Sequence, residues 1–209
     1  WIVECDSDDY FYPNAFQFIV ENVNLDNQVY AYAFLKYDQN LHNIGQLFAC
    51  KKEKTTMFDL YFKQGEDGEK ALVFNAQIRK RFRHELEQNE KFVTEARMYH
   101  KMDALYHIIG INLPLMICEY QKDGYTKNIK KIFEKNPYGY YAYFKELLQF
   151  PMKGVLFRKR LYIIKHYLLF CNELNKKPEQ KEIKGIMNKI LITFLYFPGK
   201  IKFKIWKRK

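Results

Sequence analysis

The chain opens on an apolar run, "WIVEC", that breaks at once into "DSDDYFYPN". An uninterrupted apolar run predicts a strand buried on both faces, as in a parallel or mixed sheet. The polar stretch predicts a turn, because Asp and Ser bond their own backbone and Pro13 presets φ. "PNAFQFIVENV" then reads as a helix with Phe16, Ile19, Val20 and Val23 on its inner face. "QVYAYAFLKY" (28–37) is rich in aromatic and β-branched residues and predicts a second strand. Residues 38–56 are polar and irregular, with a short strand at "GQLFAC". "TMFDLYFKQ" predicts a short helix closed by Gly65, and "EKALVFNA" a strand leading into "QIRKRF". Thr94 is placed to cap a helix running to about Leu105, and "YHIIGI" and "LMICEY" predict two further strands.

Strand and helix alternate over the first 120 residues, the pattern of an α/β fold. From 127 onward the periodicity is helical only. "NIKKIFEKN", "GYYAYFKELLQF" and "RKRLYIIKHYLLFCNEL" are separated by Pro137 and Pro151. Ile183, Ile186, Met187, Ile190, Leu191, Phe194 and Leu195 then repeat at three- and four-residue spacing, the stripe of one more amphipathic helix. The expected organisation is therefore an α/β part over 1–126 and a helical extension over 127–209. The chain begins inside a strand with Trp1, which predicts a further segment upstream.

Composition adds a polarity to this division. Of a net charge of +11, residues 121–209 hold 22 Lys+Arg against 6 Asp+Glu, or +16, leaving −5 for residues 1–120. A basic, aromatic C-terminal part raises two partners, an anionic membrane surface or nucleic acid. No nucleic-acid-binding motif is present, so the second is set aside. The ending "KIKFKIWKRK", joined to the stripe at 183–195, predicts contact between the last 25 residues and a membrane, while helices packed on the core explain 158–174. The longest apolar run, "ILITFLYF", is far short of a membrane span. Four separated cysteines, Cys5, Cys50, Cys118 and Cys171, read as free buried thiols in a reducing compartment. The five histidines show no zinc-ligand spacing.

The chemistry is concentrated in the acidic turn. In open α/β sheets ligands bind beyond the carboxyl ends of the strands, so a strand ending in D-S-D-D aims carboxylates at that crevice. Asp6 and Asp8 could share one hard cation, Mg²⁺ or Mn²⁺, which would also hold substrate phosphates. The alternative is an ordinary surface turn capped by Asp.

"WIVECDSDDYFYPNAF", then "GEKALVFNAQIRKRF", "NEKFVTEARMYHKM" and "YHIIGINLPLMICEYQKDGYTKN" resemble, in order and spacing, segments of bacterial family 2 glycosyltransferases. The resemblance covers roughly residues 1–150. It implies a partial GT-A sheet without the nucleotide-binding N-terminal half, and a nucleotide-sugar donor. It also implies inverting, metal-assisted transfer to a cell-envelope glycan or lipid-linked acceptor, at a cytoplasmic or peripheral membrane location. By the family pattern Asp8 is the metal ligand, with Asp6 beside it on metal or ribose, and Asp9 binds substrate or caps the turn. Glu95, the second acid of "EKFVTE", is the expected catalytic base, with Glu90 as the alternative. Lys70, Arg97, Tyr125 and Thr126 are expected around the substrate, and Asn75 lies on the same strand as Lys70. His100 reads as structural. A non-catalytic remnant of the same fold, binding a glycan or a partner enzyme, is the alternative function.

Overall fold

The computed structural model describes residues 1–49, 53–87, 90–119 and 125–196, and leaves the side chains of 125–128 and 130 undescribed. The chain is a mixed α/β protein that divides into two compact units, Trp1–Arg83 with Tyr99–Gly124, and His84–Met98 with Tyr125–Lys209.

The first unit is built on a mixed sheet. Its elements are β1 (Ile2–Val3), β2 (Tyr10–Phe11), helix α1 (Ala15–Asn22), β3 (Val29–Asp38), β4 (Lys54–Thr55), β5 (Lys70–Phe74), the short helix α2 (Ala76–Arg79), part of α3 (Glu95–Asp103), and β6 (His107–Cys118). The strand order is β1-β5-β3-β6-β2, with β4 also on β6. Among the described strands only β3 and β6 run parallel. The pairs β1–β5, β3–β5, β2–β6 and β4–β6 are antiparallel.

The opening apolar run does not form the interior strand its pattern predicts. Only Ile2 and Val3 pair, at the sheet edge, and both are half-buried. The segment expected as two strands is one, the 12-residue β6, which continues through Pro114. Its ladder with β3 jumps from Phe34↔Ile111 to Leu35↔Pro114, so residues 112 and 113 bulge out. A bulge is where a strand tolerates proline, since no ladder N–H is demanded there. Asn112 turns the bulge to use. Its Oδ1 accepts from the Phe48 N–H at 2.9 Å and its Nδ2 donates to the Phe48 carbonyl at 3.0 Å. The side chain thus gives the 45–49 segment a substitute ladder, and no strand forms there.

One sheet face is covered by α1. Ala15, Phe18, Ile19 and Val23 meet Val29, Tyr32, Phe34, Val73, Leu115 and Met116. Phe16 and Val20, expected on that face, point outward. A second layer comes from the helix over residues 57–63, which widens to π geometry at Asp59–Lys63, and from the end of α3. Asp103 locks these together. Its carboxylate accepts from Tyr30 Oη (2.9 Å) and from the backbone N–H of Met57 and Phe58 (3.0 and 2.8 Å), and it lies 3.0 Å from His100 Nδ1. Four contacts satisfy a carboxylate with no exposed surface, and two of them cap a helix start. His100 is accordingly a structural residue.

The second unit is helical: the first turn of α3, α4 (Tyr125–Lys135), α5 (Pro137–Leu147), α6 (Phe157–Glu173) and α7 (Ile186–Leu195). Pro137 occupies the first turn of α5, where its missing N–H costs nothing. Phe133, Tyr140, Phe144 and Phe170 form its aromatic centre, with Tyr140 and Phe170 stacked at 5.7 Å. Among the described residues no helix is long and apolar enough to cross a membrane.

Candidate functional site

The stretch from residue 4 to residue 9 joins β1 at one edge of the sheet to β2 at the other. It crosses the carboxyl ends of the parallel pair: Asp9 meets Lys36, near the end of β3, and Cys118, the last residue of β6. A tight turn closes where the Asp9 N–H donates to the Asp6 carbonyl at 3.1 Å. The Cys5 Sγ sits beneath this turn, 3.6 and 3.5 Å from the carbonyls of Asp6 and Asp9.

The three acids do not share one environment. Asp6 and Asp8 are exposed on the turn. Asp9 is turned inward, its side chain 6% exposed, and pairs with Lys36 Nζ at 3.1 Å. Lys36 also reaches Glu69 at 3.4 Å. Burial works against the Lys36 charge, but Cys118, Glu69 and Asp9 around it more than offset this and hold it above the usual lysine range. Burial, together with the bond to Asp9, pushes the Cys118 thiol up to about 12, so it stays protonated and donates to Asp9 Oδ2 at 3.3 Å. Cys5 is raised as well, first by burial and then by Asp9 and Asp6. Cys118 and Cys171 are free and buried as expected, whereas Cys5 is exposed.

The donor set bears on the divalent cation that the sequence resemblance implies. Asp6 and Asp8 offer hard oxygens on one exposed turn. That suits an ion held by one or two carboxylates that takes its remaining ligands from water and phosphate. Asp9 does not extend the set, because Lys36 already neutralises it. Among the described residues no three His, Cys, Asp or Glu side chains are grouped to hold a metal by themselves. The residues therefore fit a cation delivered with a diphosphate.

Lys70 and Asn75 lie at the two ends of β5 in the first unit. Lys70 is fully buried in the first unit, where it pairs with Glu66 at 2.8 Å, donates to the Gln46 carbonyl at 2.9 Å and lies over the Phe48 ring. Its ammonium is out of reach of solvent, engaged within the fold. Asn75 caps α2, accepting from the Gln77 and Ile78 N–H groups.

In the second unit, Arg97 is buried and grips Glu146 with three bonds of 2.7–3.1 Å, Glu87 at 2.9 Å and the Glu85 carbonyl. A guanidinium held this completely fastens these segments together. Glu90 accepts from the Tyr138 and Gly139 N–H groups, both at 2.7 Å, and so caps α5. Burial raises its pKa, outweighing the lowering by those two bonds. Glu90 and Arg97 meet α5 eight residues apart, at Tyr138 and Glu146. That spacing is about 12 Å along the axis, so they form no single cluster. Glu95 is exposed at the start of α3. The side chains of Tyr125 and Thr126 lie outside the described residues, as do residues 197–209 with their basic ending.

No known family model, curated protein or solved structure matches this chain.

The sequence reading misses Lys36, Glu69 and Cys118. A signal for Lys36 exists: it is the one charged residue between Val29 and Tyr37, and a lone Lys inside an apolar strand needs a buried partner.

Proposed function

We propose that this chain belongs to a nucleotide-sugar-dependent glycosyltransferase of the GT-A type, acting on a cell-envelope glycan or lipid-linked acceptor. The observation that carries the reading is the D-S-D-D turn lying across the carboxyl ends of β3 and β6. There it shows two exposed carboxylates and anchors a third on a buried lysine. The ordered resemblance of the surrounding segments supplies the reaction class.

In the reaction proposed, the acceptor oxygen bonds to the anomeric carbon as the bond from that carbon to the diphosphate oxygen breaks, with inversion. A divalent cation bound with the donor would neutralise charge developing on the diphosphate. Asp6 and Asp8 are the groups that would hold it. Lys36 is a positioning residue: by fixing Asp9 it sets the turn, and its positive charge lowers the cost of gathering carboxylates and phosphate together. The acceptor proton goes to a carboxylate, a role the resemblance gives to Glu95, while Glu90 is spent on capping α5.

The commitment of Lys70, Arg97 and Glu90 to structural bonds favours a second reading, a binding remnant of the same fold without turnover. Titration of UDP and GDP, each with and without Mn²⁺, followed by donor hydrolysis assays, tests both. Metal-dependent nucleotide binding that is lost in Asp8→Asn, with turnover, supports the transferase. Binding without turnover supports the remnant. Absence of metal-dependent binding to either nucleotide overturns the transferase and leaves the remnant, whose ligand is a glycan or a partner enzyme.

A further inference from the structure

Helix α7 faces the wrong way for a helix that only packs on its own unit. Its inward residues are Asn188 and Ile192, preceded by the buried Ile183. Asn188 donates to the Lys184 carbonyl at 2.7 Å, while its buried Oδ1 has no partner. The outward side carries the stronger apolar residues: Ile186 is 78% exposed, Met187 54%, Ile190 45% and Phe194 77%. At 100° per residue these four fall within an arc of about 100°, the width of a normal buried stripe. The stripe expected from sequence is thus present, but its main residues point to solvent. Scattered exposed apolar residues are ordinary; four on one arc of one helix are not.

The charge of this part of the sequence selects what covers the face. Lys184, Lys189 and the six Lys and Arg residues of 200–209 make eight cations over 183–209, with no Asp or Glu. A second copy of this helix would bring like charge to like charge. An anionic lipid surface brings the complement, and it also accepts the apolar arc. Apolar residues on one side with cations around them, in a helix too short to span, are the pattern of a helix lying in the headgroup plane.

We propose that α7 docks in the interface of an anionic membrane, with Ile186, Met187, Ile190 and Phe194 entering the acyl boundary and the net positive charge of the sequence from 184 to 209 supplying the attraction to the headgroups. The inference stands whether or not the chain is a transferase.

The test is sedimentation of the full chain with phosphatidylcholine vesicles and with vesicles that also contain phosphatidylglycerol. The comparison variants are the triple Ile186→Ser, Ile190→Ser, Phe194→Ser and the triple Lys200→Gln, Lys202→Gln, Lys204→Gln. The serine changes sit on exposed positions, so far-UV circular dichroism should match the parent. Expected are binding only to the anionic vesicles, weakening at high salt, and a loss of about tenfold or more in partition coefficient for each triple variant. No vesicle binding by the parent overturns the proposal. So does a serine variant that binds like the parent, which would leave the face idle. A concentration-dependent dimer, abolished by the serine changes and formed without lipid, would overturn it in favour of a self-interface.

Discussion

Replacing Lys70 with Met is the sharpest probe of the first unit. The substitution keeps the side-chain length and the contact with Phe48, and removes only the charge and its donors. Glu66 is then left as a carboxylate of 3% exposure without its cation, though the N–H groups of Gln46, Asp67 and Gly68 still donate to it. The Gln46 carbonyl also loses its partner. Removing one member of a buried pair costs about 3–5 kcal/mol. The surviving N–H donors to Glu66 put the expected value near the lower end, about 3 kcal/mol. With a urea slope of ~2 kcal/mol/M, the midpoint should fall by about 1.5 M. Trp1 stacks edge-on against Tyr32 at 5.8 Å, so its fluorescence in a Trp206→Phe background reports this unit. The penalty should also depend on pH. In the parent, burial raises the Glu66 pKa, but Lys70 and the N–H donors lower it by more. Its stabilisation is therefore present above the ordinary glutamate value of about 4.3 and is lost as pH falls through the depressed one. In the variant burial meets less opposition, so the penalty is largest at neutral pH and shrinks as Glu66 takes a proton. The double variant Glu66→Gln, Lys70→Met should recover part of the loss. A penalty under about 1 kcal/mol at neutral pH, or one that grows on acidification, would refute the buried-pair account.

Asp8→Asn should leave stability within about 0.5 kcal/mol, because the side chain is exposed, and weaken Mn²⁺-dependent nucleotide binding tenfold or more in calorimetry. Glu90→Ala should cost about 1–2 kcal/mol in chemical denaturation by uncapping α5. Gly68→Ala should destabilise by more than 2 kcal/mol in thermal melts, since its Cβ would stand 2.2 Å from the Gly45 Cα, where backbone meets backbone.

Periodicity reveals local elements well and partnerships poorly, and individual residues show why. β3 and α6 each carry a long unbroken pattern of the right period, so their extents are plain in the sequence. β6 is not, because Pro114 reads as a terminator unless one knows that β6 bulges at residues 112 and 113, just before it, and resumes its ladder with β3. α7 shows its stripe in the sequence, but which side faces the protein depends on whether neighbours offer room for Ile186 or for Asn188. At the candidate site the acidic turn is legible as a turn. The division of labour among Asp6, Asp8 and Asp9 is not, since it depends on Lys36, 27 residues away along the chain. Lys70 opens β5 and Glu66 lies in the loop before it, an i, i+4 pair outside any helix that would make that spacing informative.

The path of residues 4–9 has a mechanical consequence. β1 and β2 are four strand spacings apart, about 19 Å across a flat sheet. Seven peptide steps join Val3 to Tyr10. With the Asp6–Asp9 turn spanning at most ~7 Å, their combined reach is only about 21 Å. The acidic turn is therefore a short strap, tied to both rims of the sheet and pinned where Asp9, one residue before β2, meets Lys36 and Cys118. Its carboxylates cannot be repositioned without drawing on an edge strand, so a load applied at Asp6 or Asp8 is felt at β1 and β2 together. Lengthening this connection by a single residue would slacken the strap, and it would change the site while leaving every residue of the site in place.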